Sequence, residues 1–215
     1  VEKSVKRIYS ILSVLVLAVG LSLGTVGVAG ADMTPTETLE EGIDKIVAVL
    51  KDPKVNTESG KREAIEELSE MAGNYFAFDE LTKRAVGKPW LDMSEGQRTE
   101  FVQTFRKLLE LTYLQKIRQY HDEKVEFTKE LVKGNRAMVL TNVQAKDSVY
   151  SVNYKLIKRE NRWLVYDVIG ENISLVKNYR QQFNEILQKS SLEELVERLK
   201  KKVSALESGK VADPE

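Results

Sequence analysis

One acid stands out in a stretch that is otherwise apolar. Asp167 lies between Tyr166 and Val168 in the run Val165-Tyr166-Asp167-Val168-Ile169. A carboxylate there has two uses. It can act as a general base in a pocket. Alternatively it takes hydrogen bonds from backbone amides, an Arg or a Tyr hydroxyl where the strand turns into a helix, since a buried carboxylate must be hydrogen-bonded or neutralised. The sequence places no second acid, His or Tyr to work with it, which favours the structural use. His121 is the only histidine. It ends a long helical pattern, where an imidazolium is favoured by the helix dipole. Adding Asp122 and Glu123 makes a poor metal site, because three adjacent residues point to different faces. The chain has no cysteine, hence no thiol nucleophile and no soft metal ligand. It carries no Gly-rich phosphate loop, no Ser nucleophile elbow and no EF-hand loop. Neither catalytic residues, nor a metal, nor a cofactor is expected.

The elements around Asp167 come in two blocks. Residues 34–120 read as helical. Thr34-Pro35-Thr36-Glu37 is a capping box with Pro at the first helical position. Leu39, Ile43, Ile46 and Leu50 make one apolar face, and Asp52-Pro53 ends the helix. A second helix begins near Thr57, with Ala64, Ile65, Leu68, Met71 and Ala72 as its buried stripe. After an aromatic link (Tyr75, Phe76, Phe78), Asp79 is expected to cap a short helix that Gly87 stops. Ser94 to Gln97 is another capping box and opens the longest helix, to about Tyr120. The period then changes to two. Val125–Phe127, Arg136–Val143, Val149–Ile157 and Arg162–Ile169 read as four strands, with turns at Gly134-Asn135 and at Glu160-Asn161, where Asn161 is suited to positive φ. Helices over 173–188 and 191–206 close the pattern. This order gives an α+β fold, helices packed on a twisted four-stranded antiparallel sheet, with an apolar face on each layer that can line a pocket between them.

The ends and the composition bound the function. Lys3, Lys6 and Arg7 precede an uncharged apolar or small run, Ile8 to Val28, and Ala29-Gly30-Ala31 supplies a small-x-small site. Residues 1–31 therefore read as a signal peptide cleaved after Ala31. The rival is an uncleaved membrane anchor, because the run is long enough to span a bilayer. Residues 32–206 read as one domain and 207–215 as a disordered polar tail. The 33 basic and 33 acidic side chains balance. Removing residues 1–31 leaves two more acids than bases, so no charge field argues for nucleic acid. An exported chain without disulfides holds together by core packing alone.

Four stretches together resemble one family. They are Phe76-Ala77-Phe78-Asp79-Glu80-Leu81 through Gly87 to Trp90, Met93-Ser94-Glu95-Gly96-Gln97-Arg98 through Phe101 to Phe105-Arg106, Val152-Asn153-Tyr154-Lys155-Leu156 with Trp163, and Val165 to Phe183. In this order they are similar to the MlaC family of periplasmic phospholipid-binding proteins, also known as the toluene-tolerance auxiliary family. Glu95 replaces a usual Pro, and Asn172 stands where Gly is common. The resemblance covers about residues 36–205. It implies a periplasmic carrier of phospholipid that serves outer-membrane lipid asymmetry. Its implied partners are an outer-membrane lipoprotein complex and an inner-membrane ABC transporter with an MCE-domain subunit. It implies no catalysis.

On that basis Leu81, Phe105, Leu109 and Tyr113 are expected to line a lipid pocket from the helices. Val139, Val152, Tyr154, Val165 and Val168 are expected to line it from the sheet, with the face of the fourth strand open. Leu175, Tyr179 and Phe183 are expected to close it. Lys177 and Arg180 are the candidates for a phosphate headgroup. A lipid pocket and a filled core use the same residue types, so two rivals stay open: a small-molecule or enzymatic cone-like α+β domain using Asp167, and a periplasmic adaptor with no cavity and no bound lipid.

Overall fold

The computed structural model describes residues 32–114, 123–145 and 148–208. The expected cleavage after Ala31, His121 and all but the first two residues of the expected tail lie outside the described residues. Helix α1 (Pro35–Lys51) starts on the Thr34/Glu37 capping box. The Thr34 hydroxyl accepts from Glu37 N–H at 3.1 Å, and Thr34 N–H donates to the Glu37 carboxylate at 2.7 Å. A 3-10 turn, Pro53–Asn56, reverses the chain into α2 (Glu58–Tyr75), capped by Thr57. Helix α3 (Phe78–Val86) follows. Its N-cap is Ala77 rather than Asp79. Asp79 sits in the first turn and reaches across to Arg159 instead. Helix α4 (Glu95–Leu114) is the longest among the described residues, opened by the Ser94/Gln97 pair; its expected continuation to about Tyr120 lies outside them.

The sheet is antiparallel in the order β1-β2-β3-β4-β5. Its strands are β1 (Lys124–Lys133), β2 (Arg136–Ala145), β3 (Ser148–Arg159), β4 (Arg162–Gly170) and β5 (Ile173–Ser174). Two departures from the sequence reading have physical causes. Strand β1 runs well past Phe127 because the Gly134-Asn135 hairpin pairs it with β2 back to Lys133 and Arg136. Those added residues are mostly exposed at the sheet edge, so no alternation marks them. The fifth strand arises because Glu171 and Asn172 both take positive φ, 47° and 66°. This tight turn folds Ile173-Ser174 back onto Ile169-Gly170. In the β3–β4 turn the positive φ falls on Glu160, not Asn161.

Helices α5 (Leu175–Leu187) and α6 (Leu192–Glu207) pack back over the helical layer, α6 reaching one residue beyond the expected boundary. Between the sheet and helices α1 and α3 to α6 lies the main core. Its densest part is aromatic. Phe105 of α4 lies 4.8 Å from Tyr179 and 5.1 Å from Phe183 of α5, ring centre to ring centre, both edge to face. A smaller apolar cluster, Val49, Val55, Ala64 and Leu68, joins the C-terminal end of α1 to α2, while Leu39, Ile43 and Val47 of α1 belong to the main core.

Candidate functional site

An apolar cavity of about 150 Å³ opens between the two layers, at the seam between the main core and the α1–α2 cluster. Leu39, Gly42, Ile43 and Ile46 of α1 form one wall, and Leu68, Met71, Ala72 and Tyr75 of α2 form the next. Leu81 of α3, Leu109, Glu110 and Tyr113 of α4, and Leu175 of α5 complete the helical side. Tyr154, Val165 and Val168 form the sheet side.

Each wall has a local cause. Residues 39, 43 and 46 fall on one helical face, as do 68, 72 and 75. The link between α2 and α3 is pinned to β4: Ala77 N–H donates to Val165 O at 2.9 Å, and Phe76 bridges to Val165 in parallel register. That contact covers the stretch of the β4 edge that β5 does not reach. Phe76 and Phe78 stack there at 5.6 Å and both line the cavity. The fourth strand's face is set by a bulge. Leu156 pairs with Val165 and Lys155 with Asp167, leaving Tyr166 as the extra residue. The extra residue resets the alternation, so Val165 and Val168 face the same side although three positions apart.

Seen against the sequence reading, Leu81, Leu109, Tyr113, Tyr154, Val165, Val168 and Leu175 come together around this cavity. Phe105, Val139, Val152, Tyr179 and Phe183 do not line it; each is buried in the packed main core. The α1 and α2 walls were missed as a site. Their apolar stripes are plain in the sequence, but nothing there separates a cavity wall from a helix–helix contact. Lys177 and Arg180 are not at the cavity either. They border a shallow surface depression along α5. The Arg180 guanidinium packs over Gly87, where an added Cβ would come within 2.7 Å of it and where φ is +78°.

Polar groups around the cavity are few. The Tyr75 hydroxyl accepts from Lys45 Nζ at 3.1 Å. Glu110 accepts from Arg106 Nε at 2.7 Å. Arg106 also donates to Ser69 O of α2 at 2.8 Å and lies 5.0 Å above the Phe78 ring. Asp167 is 2% exposed, and its carboxylate accepts from Ser174 Oγ, Val176 N–H and Lys155 Nζ. It braces the start of α5 and is not among the residues that line the cavity.

The family model described as MlaC protein matches residues 40–201. This chain belongs to the MlaC family. The match spans both helical blocks and the whole described sheet. Among relatives, a Haemophilus influenzae protein named intermembrane phospholipid transport system binding protein MlaC is 24% identical over 136 residues. That alignment covers 60% of this MlaC-family chain and 64% of the relative, less than two thirds of the relative's length. A phospholipid-binding protein from Ralstonia solanacearum, solved in complex with a phospholipid, shares the fold with a TM-score of 0.72 at 22% identity. The superposition covers 79% of this chain and 97% of that one.

Proposed function

We propose that this chain is a phospholipid carrier that shelters acyl chains between its helices and its sheet. The observation that carries the reading is the apolar cavity at the seam of two separately packed clusters. The family membership supports it, as do the Haemophilus relative's name and the lipid held by the Ralstonia protein. The physical task is clear. Each buried methylene is worth about 0.8 kcal/mol, so a bare lipid crosses water slowly and a cover is needed. A carrier that must also let go uses apolar contact rather than a polar clamp. Lys177 and Arg180, away from the cavity, form no such clamp in this arrangement.

The cavity also sets a requirement. A void of about 150 Å³ takes a benzene-sized guest, and a diacyl lipid is several times larger. Loading therefore needs the layers to part. The α1–α2 hairpin is the part suited to move, because its own cluster keeps it whole when Leu39, Ile43 and Val47 of α1 part from the main core. In this reading residues 1–31 are removed on export and the domain over residues 32–206 works in the periplasm. The lipid is exchanged between an outer-membrane lipoprotein complex and an inner-membrane MCE-domain ABC transporter, and Asp167 supports the fold without doing chemistry.

The test is native mass spectrometry of the purified chain after incubation with phosphatidylglycerol vesicles, with lipid extraction of the same sample. A discrete added mass of one phospholipid is expected. A mass that stays that of the bare chain overturns the carrier reading.

A further inference from the structure

Tyr154 stands mid-way along β3, paired with Val139 on one side and Val168 on the other. Strand alternation turns its ring to the inner face, where it lines the cavity. The residue is 5% exposed. Its hydroxyl is enclosed and has no hydrogen-bond partner among the described residues. Burial pushes its pKa up, so it stays a neutral O–H donor across the physiological range. An unmet buried hydroxyl is destabilising, and Phe would fill the same space without that penalty.

The surroundings narrow what the hydroxyl can serve. Tyr75 and Glu110, two other polar side chains at this cavity, are engaged by Lys45 and Arg106. Among the described residues, Tyr113 is the one further hydroxyl on the wall, and the other side chains that face this space with Tyr154 include Leu81, Leu109, Val165, Val168 and Leu175. Alkyl chains accept no hydrogen bond. A phosphate would have to shed its water into an apolar space, which is prohibitive. A neutral carbonyl oxygen carried on an apolar chain fits both demands.

We infer that the Tyr154 hydroxyl donates a hydrogen bond to an acyl carbonyl of the bound lipid, which fixes how deep the chains sink and selects acyl-linked over alkyl-linked lipids. This rests on the carrier reading. A site built to donate to a carbonyl discriminates against the analogue lacking it, because the donor is then left unmet.

The experiment offers the full chain vesicles with equal amounts of diester and diether phosphatidylglycerol, matched in chain length, and reads the bound ratio by native mass spectrometry. Wild type is expected to favour the diester by several-fold, up to about tenfold. Tyr154→Phe is expected to bring the ratio to about one. Its lipid-free form is expected to melt no lower than wild type, since it loses only an unmet group. Uptake of both lipids in equal amounts by wild type overturns this inference alone and assigns the hydroxyl to a water. So does a Tyr154→Phe ratio equal to that of wild type. A lower melting point of lipid-free Tyr154→Phe overturns it too, by revealing a structural partner. Uptake of neither lipid by wild type overturns the carrier reading, and this inference with it.

Discussion

Ser174 Oγ lies 2.8 Å from one carboxylate oxygen of Asp167 and 3.0 Å from the other, and the same Oγ accepts the Lys177 N–H that opens α5. One acid and one hydroxyl thus join the end of the sheet to the start of the closing helix. Lys155 Nζ, at 3.1 Å, supplies the counter-charge, and Val176 N–H adds a bond from the helix N-terminus, where a carboxylate is favoured. Removing one partner of a buried pair leaves the others unmet. Asp167→Ala is expected to cost about 3 kcal/mol in urea unfolding. Lipid uptake per folded molecule should stay at the wild-type level. A variant of unchanged stability that takes up no lipid would assign Asp167 to the ligand instead.

The fate of that acid was half legible in the sequence. An Asp inside an apolar strand, close to the turn into a helix, implied a bonded carboxylate; the expected backbone amide is Val176 N–H, but Ser174 and Lys155 stand where an Arg or a Tyr hydroxyl was expected. The Tyr166 bulge was not legible, since Val165 to Ile169 reads as continuous apolar strand whichever residue is the extra one. The starts of α1 and α4 were legible because Thr34 and Ser94 cap through side chains that the sequence displays. Ala77 caps without a side-chain bond, so α3 was assigned to Asp79. The cavity was least legible. Leu109 and Phe105 are one turn apart on α4 and chemically alike, yet one faces the cavity and the other the aromatic cluster. Unfilled volume depends on how whole elements sit, which no local pattern records.

Filling the cavity separates binding from folding. Ala72 lines it from the last turn of α2. Ala72→Leu adds apolar volume where space exists, which commonly stabilises by about 0.5–2 kcal/mol. Lipid uptake should fall at least about tenfold while the melting point holds or rises. Val152→Glu is the contrasting case. Val152 is fully buried in the main core, away from the cavity, so a charge there should unfold the protein rather than empty it.

Arg106 ties the α1–α2 hairpin to α4. Its guanidinium donates to Ser69 O, pairs with Glu110, and packs close over Gly73, 3.2 Å from where a Cβ would stand. Lys has no fork to reach both partners. Arg106→Lys should lower stability by about 1–2 kcal/mol and speed lipid exchange with vesicles. Slower exchange in that variant, measured by dequenching of a fluorescent phospholipid, would mean that the hairpin is not the moving part.

The fork between Arg159 and Asp79 joins β3 to the first turn of α3, at 2.8 and 2.6 Å. Burial alone would raise the Asp79 pKa. The Arg159 guanidinium and the Glu80 backbone amide outweigh it and hold the carboxyl below its ordinary value. A depressed folded pKa contributes stability above the unfolded value of about 3.9, and that contribution is lost as pH falls through the folded value. Both side chains are well exposed, so Arg159→Leu should cost less than about 1 kcal/mol at neutral pH. The wild-type and variant unfolding midpoints should converge as pH drops below about 4, and added salt should narrow the gap at neutral pH. A gap that persists in acid would show that Arg159 acts through packing of its alkyl stem rather than through Asp79.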